Sequence, residues 1–213
     1  MFCGVDEAGR GPVLGPLVVA SVGTEDDGEL RRMGVKDSKQ LSHKQRERLF
    51  SDITASYPYY IVIRECYEID SARRVMSLNE LEIEMFAESI SALPVNEAFV
   101  DCADVNQISF GQRIGALIAP GIEVRSFHKA DETYPVVSAA SIVAKVTRDR
   151  LIEQISQTIG IDVGSGYPSD PRTIVFLEKW IKDNGNPPPC ARVSWETTRR
   201  LIANSRSTRI TDW

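Results

Sequence analysis

An α/β fold, a mixed sheet with helices on its faces, is predicted by two features of this 213-residue sequence. Three apolar runs of strand length fall within the first 66 residues, and two more follow with helical stretches between them. Hydrophobic residues make up 42% and charged residues 26%, enough to bury a full core in one domain with at most a small appended lobe. Strand order is not readable from such a pattern.

Each element has its own signal. The apolar start, Met1 to Val5, runs into Asp6 and Glu7 as a first strand, and residues 15–23 (GPLVVASVG) form its hairpin partner. Ser42 and Gln45 make a capping box for a helix to about Ser56, which Pro58 ends. Residues 59–66 (YYIVIREC) alternate as a third strand. A second capping box, Ser77 with Glu80, opens a helix whose apolar stripe is Leu81, Met85, Ser89 or Ile90, and Leu93, up to Pro94. Residues 98–101 and 122–127 are the fourth and fifth strands, with a short helix at 110–118. Pro135 suits the first turn of a long helix carrying Val136, Ala140, Val143, Ala144, Thr147, Leu151 and Ile155 on one face. Its small residues, 138–141, permit close packing on a sheet. Asp170 and Pro171 read as N-cap and first residue of a helix over 172–182; residues 184–189 break it, and a terminal helix follows from about Ser194.

No run approaches the roughly 20 apolar residues of a membrane span, and the N-terminus enters a strand directly without a basic, apolar leader. A cytoplasmic monomer without a membrane partner is expected. Cys3, Cys66, Cys102 and Cys190 lack the paired spacing of zinc sites, so neither zinc nor a disulfide scaffold is expected; Cys3 and Cys102 read as buried thiols. The net charge of −5 argues at first sight against nucleic acid, yet it is uneven: residues 129–213 carry net +2 and residues 1–128 net −7. Arg192, Arg199, Arg200, Arg206 and Arg209 fall in the last stretch, a face that could meet a phosphate backbone or could equally be an ordinary solvated helix.

The chemistry centres on VDEAGRGPVLG, where Asp6 and Glu7 lead into the turn Gly9-Arg10-Gly11-Pro12. Successive strand side chains point to opposite faces, so a bend at Glu7 is expected if both acids address one site. Strand-end carboxylates are hard oxygen ligands for Mg²⁺ or Mn²⁺, and bare glycines let backbone N–H groups approach a phosphate or sugar. By itself the stretch fits a tight turn with two solvated acids equally well. Asp101 and Asp131 are the next acids at strand ends. Four converging carboxylates repel one another unless cations are bound, and two divalent ions suit in-line phosphoryl displacement. Asp104 is an alternative to Asp101, His128 reads as structural, and Lys145 and Arg148 read as a solvated helix face.

The order of acids then glycines, DEAGRGPVLGPLV, resembles the opening motif of the ribonuclease HII family in its archaeal and eukaryotic form. Asp37-Ser38-Lys39 with Leu41 resembles the family's DSK-x-L, AASIVAKVTRD the helix after the fourth acid, and SGYPSDP the segment with a recognition tyrosine, here Tyr167. RVSWETTR is similar to the archaeal C-terminal segment, with Val193 and Glu196 where basic residues are common. These motifs span residues 3–198. The resemblance implies a ribonuclease H-like fold, a five-stranded mixed sheet with a helical C-terminal extension, divided as a catalytic domain (1–165) and a substrate-binding extension (166–213). It implies a metal-binding, catalytic set of Asp6, Glu7, Asp101 and Asp131, served by Mg²⁺ or Mn²⁺. Gly9, Arg10, Gly11, Lys39 and Tyr167 would bind substrate. The implied activity is endonucleolytic cleavage of the RNA strand of RNA–DNA hybrids, and of duplex DNA at embedded ribonucleotides, leaving 5′-phosphate and 3′-hydroxyl ends. A sliding clamp stays open as a partner, although the terminal TRITDW forms no clear clamp-binding motif. Rival readings are a non-enzymatic nucleic-acid module, against which the intact acid set speaks, and a phosphatase of small substrates, which would leave the basic terminal stretch and Tyr167 without a purpose.

Overall fold

A computed structural model describes residues 1–35 and 41–211, with the side chains of 206–211 excepted. The chain divides into two compact units.

The first unit comprises Met1–Ala8, Val18–Ile63 and Ser77–Thr147. It is organised on a five-stranded sheet of β1 (Phe2–Ala8), β2 (Leu17–Thr24), β3 (Tyr59–Arg64), β4 (Glu97–Asp101) and β5 (Glu123–Phe127), in the order β3-β2-β1-β4-β5. β1 runs antiparallel to β2, and β1–β4 and β4–β5 are parallel, so the sheet is mixed. β2 is buried along its whole length, as expected of a strand covered on both faces. The hairpin register pairs Asp6 with Ala20 and Glu7 with Val19, so β1 runs unbroken past Glu7 to Ala8. The expected bend at Glu7 does not occur; the chain turns at Gly9, whose φ of +100° favours glycine. The third strand also stops earlier than its apolar run, at Arg64, because the carboxylate of Glu68 accepts from the Glu65 N–H and starts a helix at Cys66.

Helices of this unit are α1 (Gly28–Met33), α2 (His43–Ser56), α4 (Leu78–Ser91), α5 (Gln107–Gly115), the one-turn α6 (Ala130–Thr133) and residues 135–147 of α7 (Pro135–Ile159). Both capping boxes form as read: Ser42 accepts from the Gln45 N–H and Ser77 from that of Glu80. The stripe of α4 is buried at Leu81, Met85, Ser89 and Ile90; the helix ends at Ser91, so Leu93 is buried just beyond it. Phe86 meets Phe110 edge to face at 5.4 Å, a geometry that adds about 0.5–1.5 kcal/mol to the burial of the two rings. α7 lies against β1 where Gly4 has no side chain: a Cβ there would stand 2.3–2.4 Å from the backbone of Val136 and Val137. Glycine on the strand, with Ala139, Ala140 and Ser141 on the helix, is what allows this approach.

The second unit comprises Gly9–Leu17, Arg64–Met76 and Arg148–Trp213; the stretch 166–213 thus packs as one body with residues 9–17, 64–76 and 148–165. It holds α3 (Cys66–Ala72), the remainder of α7, α8 (Pro171–Asn184) and α9 (Glu196–Thr211). Its core joins Val13 and Leu14 to Ile152, Val163, Phe176, Leu177, Ile181, Ala191 and Leu201. Asp170 caps α8 with Pro171 in the first turn, and Gly185 ends it in the left-handed conformation. α1, α3 and α6, which carry no long periodicity, are not foreseen in the sequence.

All four cysteines are free; Cys3 and Cys66 are buried, whereas Cys102 is half-buried rather than enclosed. Burial pushes the Cys3 thiol up to about 12. Among the described residues no helix is long and apolar enough to cross a membrane.

Candidate active site

The acids of the first unit are placed by strand register. Val5 pairs with Val100 across the parallel β1–β4 ladder, so Asp6 and Asp101 follow as the next residues at the same end of adjacent strands. Asp101 in turn pairs with Phe127 on β5, four residues before Asp131. A local lock holds this corner: the Asp101 Oδ1 accepts from the Ala130 N–H at 2.7 Å. Ser138 donates from Oγ to the Asp131 carbonyl oxygen at 2.6 Å, tying the one-turn α6 to α7. Lys129, at the entry to α6, is the one non-glycine residue of positive φ among those described (+56°), and it turns the chain sharply from β5 into that helix.

Asp6 is 5% exposed and Asp131 6%, while Glu7 and Asp101 are half-buried. Burial first, then the charges of Glu7 and Asp101, raise the proton affinity of Asp6 well above that of an ordinary carboxyl; hydrogen bonds from the Ser141 side chain and from the Glu7 N–H, at 2.7 Å, work in the opposite direction. Ser141, read in the sequence only as a small packing residue, is therefore part of the Asp6 environment. Its spacing on α7 gave no sign of that role. Asp104 is occupied otherwise, its Oδ2 accepting from the Asn79 amide at 2.8 Å.

Does this set suit divalent metal? The donors are all hard oxygens, and like charges brought together with little solvent call for a cation. Among the described residues no three His, Cys, Asp or Glu side chains already close as a metal's ligands. The fit rests on donor chemistry and charge rather than on a preformed cage.

The remaining sequence candidates belong to the second unit, save Lys39, which lies outside the described residues. Gly9 is sterically required: a Cβ would stand 2.6 Å from the Pro16 carbonyl oxygen and 2.7 Å from Arg148 Cδ. Gly11 is not. It is exposed, and a Cβ would meet nothing nearer than Tyr167 Cε1 at 3.9 Å. Tyr167 is half-buried, with the Arg148 guanidinium 5.0 Å from its ring centroid. Arg148, expected on a solvated helix face, and Arg192, expected on a face either solvated or meeting a phosphate backbone, are 1% and 0% exposed. Arg192 donates to the carbonyl oxygens of Gly15 (2.9 Å) and Arg10 (3.3 Å), and Arg148 to those of Ser165 (3.2 Å) and Leu14 (3.4 Å). Their long side chains are swallowed because the turn at 9–15, rich in glycine and proline, offers main-chain acceptors and few side chains to fill the space.

A mixed five-stranded sheet flanked by helices, with acids at the ends of its central strands, defines the ribonuclease H fold class. The crystal structure of ribonuclease H2 from Pyrococcus horikoshii superposes with a TM-score of 0.89 at 46% identity, covering 96% of this chain and 98% of that one. The ribonuclease HII in a PCNA complex from Archaeoglobus fulgidus gives 0.87 at 42%, covering 94% and 96%. The ribonuclease HII of Methanospirillum hungatei is 46% identical over 213 residues, the full length of both chains. The family model for ribonuclease HII matches residues 3–198. The chain belongs to the ribonuclease HII family. It is a type 2 ribonuclease H, a metal-dependent endonuclease.

Proposed function

We propose that this enzyme, beyond the cleavage of RNA in RNA–DNA hybrids that its family membership carries, incises duplex DNA at single embedded ribonucleotides, and does so with two divalent ions. The observation that supports the two-ion reading is the crowding of Asp6 by Glu7 and Asp101 at the ends of adjacent strands. Such a set holds more negative charge than one residue's surroundings can compensate. Asp6, Glu7, Asp101 and Asp131 would hold the ions, Mg²⁺ or Mn²⁺, whose chemistry there would be to lower the proton affinity of an attacking water and to stabilise the leaving 3′ oxygen. The protein's own task is orientation. Ala130 steadies the Asp101 carboxylate through its N–H, and Ser141 steadies that of Asp6.

Discrimination of RNA from DNA falls in this reading to Gly9, Arg10, Gly11 and Tyr167. An exposed glycine that the fold does not require, Gly11, leaves main chain bare beside an aromatic ring, an arrangement suited to reading a 2′-hydroxyl and the sugar next to it. Lys39 is assigned to a phosphate contact on its motif alone. A sliding clamp enters as a proposed partner because the Archaeoglobus fulgidus protein was solved in complex with PCNA.

The test is cleavage of a duplex containing one ribonucleotide, with and without Mg²⁺, set against a continuous hybrid. Metal-dependent incision of both is expected. Tyr167→Ala should depress the single-ribonucleotide reaction more, since one junction must be sensed there. Equal losses on the two substrates, or none, would leave Tyr167 a packing residue.

A further inference from the structure

Two guanidiniums in the second unit are buried at a cost that packing alone does not justify. Arg148 and Arg192 lie close enough that burial and then mutual repulsion contribute to lowering the proton affinity of Arg192, to about 10. Among the described residues neither forms an ion pair. Their hydrogen-bond acceptors are chiefly main-chain carbonyls, with the Cys66 thiol and the Trp195 ring also beside Arg192, and among the described residues Arg148 Nε and Arg192 Nη2 have no hydrogen-bond partner. A buried cation without a counter-charge is normally exchanged for an apolar side chain unless its donors do something that a hydrocarbon cannot.

What these donors do is tie segments remote in sequence. Arg192 grips the turn at its two ends, Arg10 and Gly15. Arg148 grips Leu14 on the same turn and Ser165 two residues before Tyr167, and its flat cation faces the Tyr167 ring. The stem of Arg148 also fills the space a side chain on residue 9 would need, so Gly9 and Arg148 require each other.

We infer that Arg148 and Arg192 are positioning residues that set the enzyme's preference for a single embedded ribonucleotide, by holding the Gly9–Gly11 turn and the Tyr167 ring in fixed register. The inference rests on the reading of Tyr167 as a sugar contact. On a continuous hybrid, neighbouring registers offer repeated chances for a loosely held ring to engage; one embedded ribonucleotide offers one.

Arg148→Lys keeps the charge but loses the flat face and the forked donors. It is expected to lower kcat/KM on the single-ribonucleotide duplex about tenfold more than on the continuous hybrid, with an unchanged Mg²⁺ requirement. The Arg148→Lys, Tyr167→Ala double variant should be no more impaired in that ratio than Tyr167→Ala alone. A second readout is independent of catalysis: 3-fluorotyrosine incorporated throughout, with the Tyr167 resonance assigned from its absence in Tyr167→Phe, should shift or broaden in Arg148→Lys. If Arg148→Lys does not fold, Arg192→Lys, which removes the forked guanidinium that spans the Gly15 and Arg10 carbonyls, is carried through the same measurements. An unshifted Tyr167 resonance, or equal losses on both substrates in a protein where Tyr167→Ala changes the ratio, overturns the inference. A ratio unchanged in Tyr167→Ala itself overturns the reading of Tyr167 as a sugar contact, and the selectivity role with it; a shifted resonance would then preserve only the positioning contact.

Discussion

The two units handle buried charge in opposite ways. In the first, carboxylates are packed beside carboxylates, and backbone register does the placing: Asp6 and Asp101 stand together because Val5 pairs with Val100. In the second, guanidiniums are packed beside carbonyls, and the side chains themselves do the placing, each reaching across the sequence to hold a loop. The acids are set by the scaffold; the arginines set theirs. Changes to the acids should therefore alter chemistry and spare structure, whereas changes to the arginines should alter the loop they hold.

The sharpest test of the first half is Asp101→Asn. The amide oxygen can still accept from the Ala130 N–H, so the corner between β4 and α6 should survive. Removing one negative charge from the acid set should nevertheless lower turnover by about a hundredfold or more. Circular dichroism and hybrid binding should stay near the parent values. Near-normal turnover in saturating Mg²⁺ would remove Asp101 from the chemistry, and Asp104 would not readily replace it while Asn79 holds its carboxylate.

Next in size is a purely steric prediction for the scaffold. Gly4→Ala places a methyl group 2.3–2.4 Å from the main chain of α7, and main chain cannot rotate aside. A loss of about 3 kcal/mol or more in unfolding free energy is expected, at the upper end of overpacking effects. An unfolding curve in urea within about 1 kcal/mol of the parent would show that α7 can lift from β1 without penalty.

How much of this was legible follows from the same contrast. Both capping boxes, the Asp170 cap and the stripe of α4 are local patterns, and local patterns survive in a sequence. Asp101 is legible as a strand-end acid, because an acid closing an apolar run has few places to go; Asp131, expected at a strand end, lies instead on α6, four residues past the end of β5. Side-chain alternation predicts a bend at Glu7, whereas the hairpin register carries β1 through to Ala8, and no local pattern reveals a register. Arg148 and Arg192 read as exposed because each stands in a charged stretch of sequence, beside Asp149 and near Glu196, as a solvated side chain would. Their acceptors here are main-chain oxygens as far as 182 residues away, which no spacing reveals. Ser141 was hidden by serving packing and hydrogen bonding at once.

A smaller effect is expected where the second unit carries a carboxylate instead. The Asp170 carboxylate is held far below the usual carboxyl range, chiefly by the Arg172 guanidinium and then by the Ser165 N–H, which donates at 2.8 Å. A depressed pKa means that the folded protein binds the proton less readily than the unfolded chain. The stabilisation is then complete above the ordinary carboxyl value of about 3.9 and fades as pH falls through the depressed one. Asp170→Ala should cost about 1–2 kcal/mol at neutral pH, within the range of a lost N-cap. Denaturation at pH 7 and again near pH 3 should show the gap between variant and parent narrowing in acid. A constant gap would mean that the cap acts through shape and not charge.

The smallest expected effect separates exposed arginines from buried ones. Arg199 and Arg200 are exposed on α9, whereas Arg192 is enclosed and cannot reach a phosphate directly. If the basic terminal stretch meets the nucleic-acid backbone, Arg199→Gln with Arg200→Gln should reduce the slope of log binding constant against log salt by about two, one for each counterion-releasing contact. Arg192→Lys should leave that slope unchanged, whatever it does to the turn. Fluorescence anisotropy of a labelled hybrid between about 50 and 200 mM salt measures both. Substitution is a cleaner probe than truncation, because α9 also supplies Leu201 to the core of its unit and its removal would expose that core. A slope that stays the same in the double variant would assign α9 to packing alone, and the phosphate contacts would then have to come from elsewhere in the chain, with Arg10 the first to examine.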